Sequence, residues 1–217
     1  MAALLAGGQD VDRVLEIALE NFRGLPFDAL REGDLTGARE NALWDRTEQR
    51  GLGEVDEVDI FLSHSWHDDG ARKWRRLAEY CAGFRAQHQR EPLLWLDKAC
   101  IDQTDIEKSL LCLPVYLSGC SELVVLPGET YARRLWCVME IYTFLKMGGS
   151  VDRIQILPLD GVLTRKGLFA GFDVRKADCY KPEDKQAMLA IIEAGFGDFN
   201  AFNESVETIF GGDEALQ

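Results

Sequence analysis

Hydrophobic positions along the chain fall into two alternating rhythms. VDIFLSH (58–64), LLWLDK (93–98), ELVVLPG (122–128) and RIQILPL (153–159) are short apolar runs closed by polar or turn residues. Such runs mark strands buried on both faces. Between the first two, DDGARKWRRLAEYCAGFRAQHQ (68–89) puts Trp74, Leu77, Cys81 and Phe84 three to four residues apart, which predicts a helix with one inward face. Residues 102–119 return to helical spacing, with Pro114 expected to kink or break the run. The segment from Tyr131 to Met147 is apolar almost all the way round. Strand and helix thus alternate at roughly 30-residue intervals, which predicts an α/β domain with a parallel sheet and helices on both faces.

Ligands of such sheets bind outside the carboxyl ends of the strands, near the switch in strand order. The residues expected to gather there are Ser63, His64, Ser65 and Trp66 after the first strand, and Asp97 and Lys98 after the second. Pro127, Gly128, Glu129 and Thr130 follow the third.

The flanks read differently. QDVDRVLEIALENFR (9–23) carries Val11, Val14, Leu15, Ala18, Leu19 and Phe22 at helical spacing, and the Gly- and charge-rich stretch after it has no periodicity. Residues 1–56 are therefore expected to form an acidic, helical N-terminal extension that covers or precedes the domain, with residues 57–195 as the domain itself. FDVRKADCY (172–180) is expected as a fifth, edge strand, KPEDKQAMLAIIEAG (181–195) as a helix and 196–217 as a helical tail.

Composition narrows the possible partners. The chain has 217 residues and a net charge of −13, and residues 1–57 hold six basic against thirteen acidic residues. That balance weighs against binding a nucleic-acid duplex or an anionic membrane surface, while leaving room for a small nucleotide in a local pocket. No apolar run approaches the roughly 20 residues that span a bilayer. The N-terminus lacks the basic opening of a secretory leader, so a cytoplasmic location is expected. The six cysteines include no CxxC pair and are read as reduced, packed thiols.

Glu140 is the odd residue of RRLWCVMEIYTFLKMG (133–148). Its helical neighbours three and four residues away are Cys137, Thr143, Trp136 and Phe144, so the helix offers it no Lys or Arg. An apolar wall of Trp136 and Phe144 would raise its pKa by desolvation. His64-x-x-His67-Asp68-Asp69 straddles a strand end and a turn, where Asp68 and Asp69 more simply cap the next helix; no metal is expected. No GxSxG surrounds Ser63, and neither a GxGxxG nor a P-loop occurs.

FLSHSWHDD (61–69), LWLDKACIDQTDIEKSL (94–110) and SELVVLPGETYARRLWCVMEI (121–141) resemble, in order, three signature segments of TIR (Toll/interleukin receptor) domains. The resemblance covers residues 57–160 and is expected to extend to 195. It implies a flavodoxin-like, doubly wound sheet of about five strands and one of two activities: NAD+ cleavage or homotypic interaction as a signalling adaptor. In the enzymatic branch the Glu of WxxxE is catalytic, which implies that Glu140 stabilises positive charge on the ribose as the bond to nicotinamide breaks. Ser63, His64, Ser65, Trp66, Asp97, Lys98 and Trp136 match positions that hold the dinucleotide, with Trp66 either stacking on a base or packing. NAD+ enters as substrate, no further cofactor is implied, and the products are nicotinamide with ADP-ribose or a cyclic form. Activity is implied to require self-association through TIR surfaces. An adaptor would instead be expected to lock Glu140 in an ion pair and fill the strand-end cleft with side chains. The chain departs from the family where Thr104 stands near the place of a Gly, and where Ser65 and Trp66 replace basic residues.

Overall fold

Six strands form one sheet in this computed structural model, which describes residues 11–36, 43–51, 58–102, 111–159, 167, 169–179 and 182–211. They are β1 (Arg23–Pro26), β2 (Glu48–Gln49), β3 (Val58–His64), β4 (Leu93–Trp95), β5 (Cys120–Leu126) and β6 (Ile154–Ile156). Their order across the sheet is β2-β1-β4-β3-β5-β6. The helices are α1 (Val11–Asn21), α2 (Gly70–His88), α3 (Asp97–Cys100), α4 (Leu113–Ser118), α5 (Leu135–Lys146), α6 (Pro182–Phe196) and α7 (Phe199–Gly211). No helix among the described residues is long and apolar enough to cross a membrane.

β4, β3, β5 and β6 pair in parallel. The chain leaves β3 toward β4, then returns past β3 to β5, so the direction of winding switches between β3 and β5. This order is compatible with a flavodoxin-like fold and puts a crevice at the carboxyl ends of the central strands. Every residue of β3 is buried, as a strand covered on both faces requires. Its one acid, Asp59, is held at 2.6 and 2.7 Å by both Arg90 guanidinium nitrogens and accepts from the Leu93 N–H at 2.8 Å. That carboxylate fixes the start of β4 beside β3. Phe61 and Trp95 then stack across the two strands with centroids 4.4 Å apart.

Several elements differ from expectation. The N-terminal segment is helical over α1, but RGLP after it forms β1, antiparallel to β4 through Leu25↔Leu94 and Pro26↔Leu93. Gly24 lies close to Val58, where an added Cβ would stand 3.4 Å from the valine methyl. β2 pairs only with Arg23 and Gly24, so at Pro26 β1 is itself the sheet edge, where proline is tolerated. α1 buries Val14, Ile17 and Ala18 while Val11, Leu15 and Leu19 stay exposed, so its inward stripe is rotated from the one expected.

Among the described residues 172–179, the fifth strand expected over 172–180 does not form. Asp173 accepts from the Arg175 N–H and pairs with its guanidinium, closing a 3₁₀ turn over Val174–Lys176, and only a one-residue bridge joins Asp178 to Arg134. Pro114 does break the run as expected: the helix is interrupted at Cys112 and restarts as α4 with Pro114 in its first turn, where the missing N–H leaves no helical bond unmade. Tyr131–Arg133 form a 3₁₀ turn ahead of α5. The tail docks on the domain: Phe202 of α7 meets Tyr142 of α5 at 5.5 Å and Phe196 of α6 at 5.1 Å. Thr104 and its loop lie outside the described residues.

Candidate active site

β3 ends in Ser63 and His64, and α5 turns Glu140 back toward them. The Ser63 hydroxyl donates to Glu140 Oε2 at 2.5 Å. With that proton committed, the serine oxygen accepts from the Tyr131 hydroxyl at 2.6 Å. Ser63 and Tyr131 are both fully buried. Ser63 therefore lies beneath Glu140 as a positioning residue and does not line the cleft, a correction to its expected place against the ligand.

Glu140 itself opens on a hollow of about 390 Å³ at the ends of β3 and β4, lined also by His64, Ser65, Trp66, Asp97, Lys98 and Trp136. Seven of the eight residues that the family resemblance singles out thus meet at one cavity, whereas Pro127, Gly128, Glu129 and Thr130 line a neighbouring pocket with Asp68 and Asp69. Phe144 does not line the hollow: it is buried under the Arg153 guanidinium, 5.4 Å from its ring centroid. The apolar walls are instead Trp66, Trp95, Ile101, Leu113 and Trp136. Glu140 carries no ion pair among the described residues. Burial pushes its carboxyl up to about 8; the Ser63 hydrogen bond pulls it down, and the charge of Asp97 adds to the rise.

The loop after β3 is tightly built. The Trp66 indole N–H donates to Asp97 Oδ2 at 3.0 Å, its ring lies 4.3 Å from the His64 ring edge-on, and Lys98 Nζ stands 5.0 Å from its centroid. Trp66 is thus packed into the wall, and Asp97, which also accepts from the Lys98 N–H at 2.6 Å, is committed to holding it. Asp97 opens α3 instead of ending β4. The Ser65 hydroxyl lies 2.7 Å from Thr130 Oγ1, which in turn donates to Asp68 Oδ1 at 2.8 Å. Asp68 further accepts from the Gly128 and Thr130 N–H groups at 3.1 and 3.0 Å, tying the loop after β3 to the loop after β5. Of the two aspartates expected to cap α2, only Asp69 does so, accepting from the Arg72 N–H at 2.8 Å.

Three contributors escaped the sequence reading: Tyr131 under Ser63, Arg134 on the lining of the hollow, and Lys73 behind the loop. Lys73 left a signal, standing four residues before Leu77 on the inward stripe of α2. Among the described residues no group of three or more His, Cys, Asp or Glu side chains could hold a metal ion. All six cysteines are free thiols. Chemically, the hollow offers a carboxyl group with a raised pKa, two cationic side chains, Lys98 and Arg134, and aromatic walls. No protein-family model matches the chain, and no curated protein matches it either.

Proposed function

We propose that the chain is a TIR-like NAD+ nucleosidase that splits the nicotinamide–ribose bond with Glu140 as its catalytic carboxylate. The observation that carries this reading is the placing of Glu140: aimed by Ser63 and Tyr131, free of an ion pair among the described residues, and open to a hollow at the strand ends. Bond cleavage leaves positive charge on the ribose, and a fixed carboxylate in a site that excludes water stabilises it. Nicotinamide departs as a neutral molecule with the bonding electron pair, so no acid need protonate it. Water then adds to the anomeric carbon, giving ADP-ribose and a proton, or an internal nucleophile closes a cyclic product. Trp136 and Trp66 wall the pyridinium ribose, and Lys98 and Arg134 supply charge opposite the diphosphate.

The adaptor alternative calls for a filled cleft and a locked Glu140. An open hollow and an unpaired carboxyl among the described residues favour the enzyme. Incubating the purified protein with NAD+ under crowded, assembly-promoting conditions and following nicotinamide by chromatography tests it. No release by the wild type, or full release by Glu140→Ala, would overturn the reading.

The raised pKa sets the pH dependence. In the free protein Glu140 is largely protonated at neutral pH, because its carboxyl sits at about 8. Only the carboxylate stabilises the ribosyl cation, so kcat/KM is expected to rise about tenfold per pH unit below that value and level off above it. Ser63→Ala removes a hydrogen bond that favours the carboxylate, so the midpoint should move to higher pH. A flat profile between about pH 6 and 8 would contradict the assignment.

A further inference from the structure

Lys73 of α2 is 0% exposed. An apolar side chain there would avoid desolvating a charge, so the ammonium calls for a reason. It donates to the Ser65 carbonyl at 2.9 Å, stands 3.4 Å from His64 Nδ1, and lies 5.4 Å from the Trp66 ring centroid. An ammonium can only donate, so its 3.4 Å contact favours the tautomer whose facing nitrogen presents a lone pair over the one whose N–H would turn to the Ser65 main chain. A neutral ring then carries its single proton on Nε2. The ring is held neutral: burial, with the charge of Lys73 behind it, lowers the His64 pKa to about 3.

That Nε2–H has no partner among the described residues, although His64 is only 7% exposed and lines the hollow beside Glu140. The indole N–H of Trp95, another residue of the lining, is likewise buried without a partner among the described residues. Unpaired buried donors are rare because each keeps its desolvation penalty until an acceptor arrives. Two at one cavity point to a ligand that brings acceptor oxygens.

We propose that Lys73 is a positioning residue that fixes His64 as an Nε2–H donor, and that this donor orients the bound nucleotide by taking one of its oxygens. The proposal takes from the preceding reading only that a nucleotide enters the hollow. A phosphate or sugar oxygen and the nicotinamide carboxamide are both acceptors of the required kind, and separate titrations with ADP-ribose and with nicotinamide tell them apart.

The test combines histidine ¹⁵N spectra, which report the tautomer, with calorimetric titrations. His64→Phe identifies the His64 signals among the three histidines of the chain. Wild type is expected to show His64 as the Nε2–H tautomer and to shift that signal with at least one of the two probes. Lys73→Met removes the buried charge without removing bulk but leaves the Ser65 carbonyl without its donor, so it is expected to fold with a modestly lowered Tm and to lose the tautomer preference. Affinity for the responding probe should fall about fivefold to tenfold in both Lys73→Met and His64→Phe, one neutral hydrogen bond's worth. His64→Gln, which keeps an N–H donor, should recover most of it. An Nδ1–H tautomer in wild type, wild-type affinity in Lys73→Met, or a His64 signal that neither probe moves would each overturn the proposal. Failure to cleave NAD+ with these binding results intact would remove the nucleosidase reading alone, and cleavage with an undisturbed His64 would remove this proposal alone.

Discussion

Glu140→Gln is expected to lower NAD+ cleavage by about three orders of magnitude while making the protein more stable in alkaline solution. Glutamine preserves shape, and its amide oxygen still accepts the Ser63 hydrogen bond. What disappears is the negative charge that develops its value only as the ribosyl cation forms, and single preorganised groups of this kind contribute on the order of 10²–10³ in rate. The stability change has the opposite sign. The Glu140 carboxyl titrates at about 8 in the folded protein, well above the roughly 4.3 of an unfolded glutamate. The folded state therefore binds this proton more tightly. The stabilisation attached to it is complete below the unfolded value and is lost as pH rises through the folded one. Above pH 8 the wild type keeps a partly buried carboxylate that Gln does not. Discounted for partial exposure, the difference is on the order of 1–2 kcal/mol, or about 2–8 °C in Tm. Nicotinamide release and melting at about pH 5 and 9 check both halves. A variant that retains a tenth of the activity, or melts lower than wild type in alkali, would contradict the roles assigned to Glu140.

The second large effect belongs to Asp68. Its carboxylate accepts from the Gly128 N–H, the Thr130 N–H and the Thr130 hydroxyl, and a Cβ on Gly128 would stand 2.4 Å from Asp68 Cγ. The loop after β5 is thus drawn directly onto the acid. Asp68→Ala strands two main-chain donors at 1–3 kcal/mol each, so a loss of about 3 kcal/mol and of about 6–12 °C in Tm is expected. Because Asp68 also sets the course of the loop bearing Ser65 and Trp66, ligand affinity should fall with stability. Gly128→Ala should act in the same direction by crowding the same carboxylate. Urea unfolding of Asp68→Ala within about 1 kcal/mol of wild type would show the network to be dispensable.

Elements held by their own periodicity were legible in the sequence. β3 and β5 are long apolar runs, and the Leu77–Cys81 stripe of α2 faces inward as its spacing requires. The strand-end loops were legible too, since a parallel α/β order dictates where the ends gather, and Glu140 stood out because nothing on its helix explained it. Elements whose state depends on a distant partner were not. RGLP looks like a turn until β4 offers it an edge, and FDVRKADCY has strand-like composition until Asp173 captures Arg175 and folds it into a turn. The sequence suggests Ser63 and Ser65 as ligand contacts; Ser63 is instead committed to Glu140 and Tyr131 beneath the hollow, while Ser65 lines it and also bonds Thr130, pairings that lie in tertiary structure and not in local pattern. The burial of Lys73 is not legible in the sequence, because lysine reads as solvent-facing even where the spacing of its neighbours points inward.

β1 has a practical consequence for anyone handling the protein. It covers the outer side of β4, a strand of three residues, and just ahead of it Phe22 stacks on Tyr116 with centroids 5.7 Å apart. Trimming the chain back to residue 57, where the recognisable pattern begins, would bare an unsatisfied main-chain ladder next to the cavity and uncover an aromatic face. Such a fragment is built to stick to copies of itself through strand addition. Clumping of a shortened protein would then imitate the self-association expected under the proposed function, so only the untrimmed chain can separate the two.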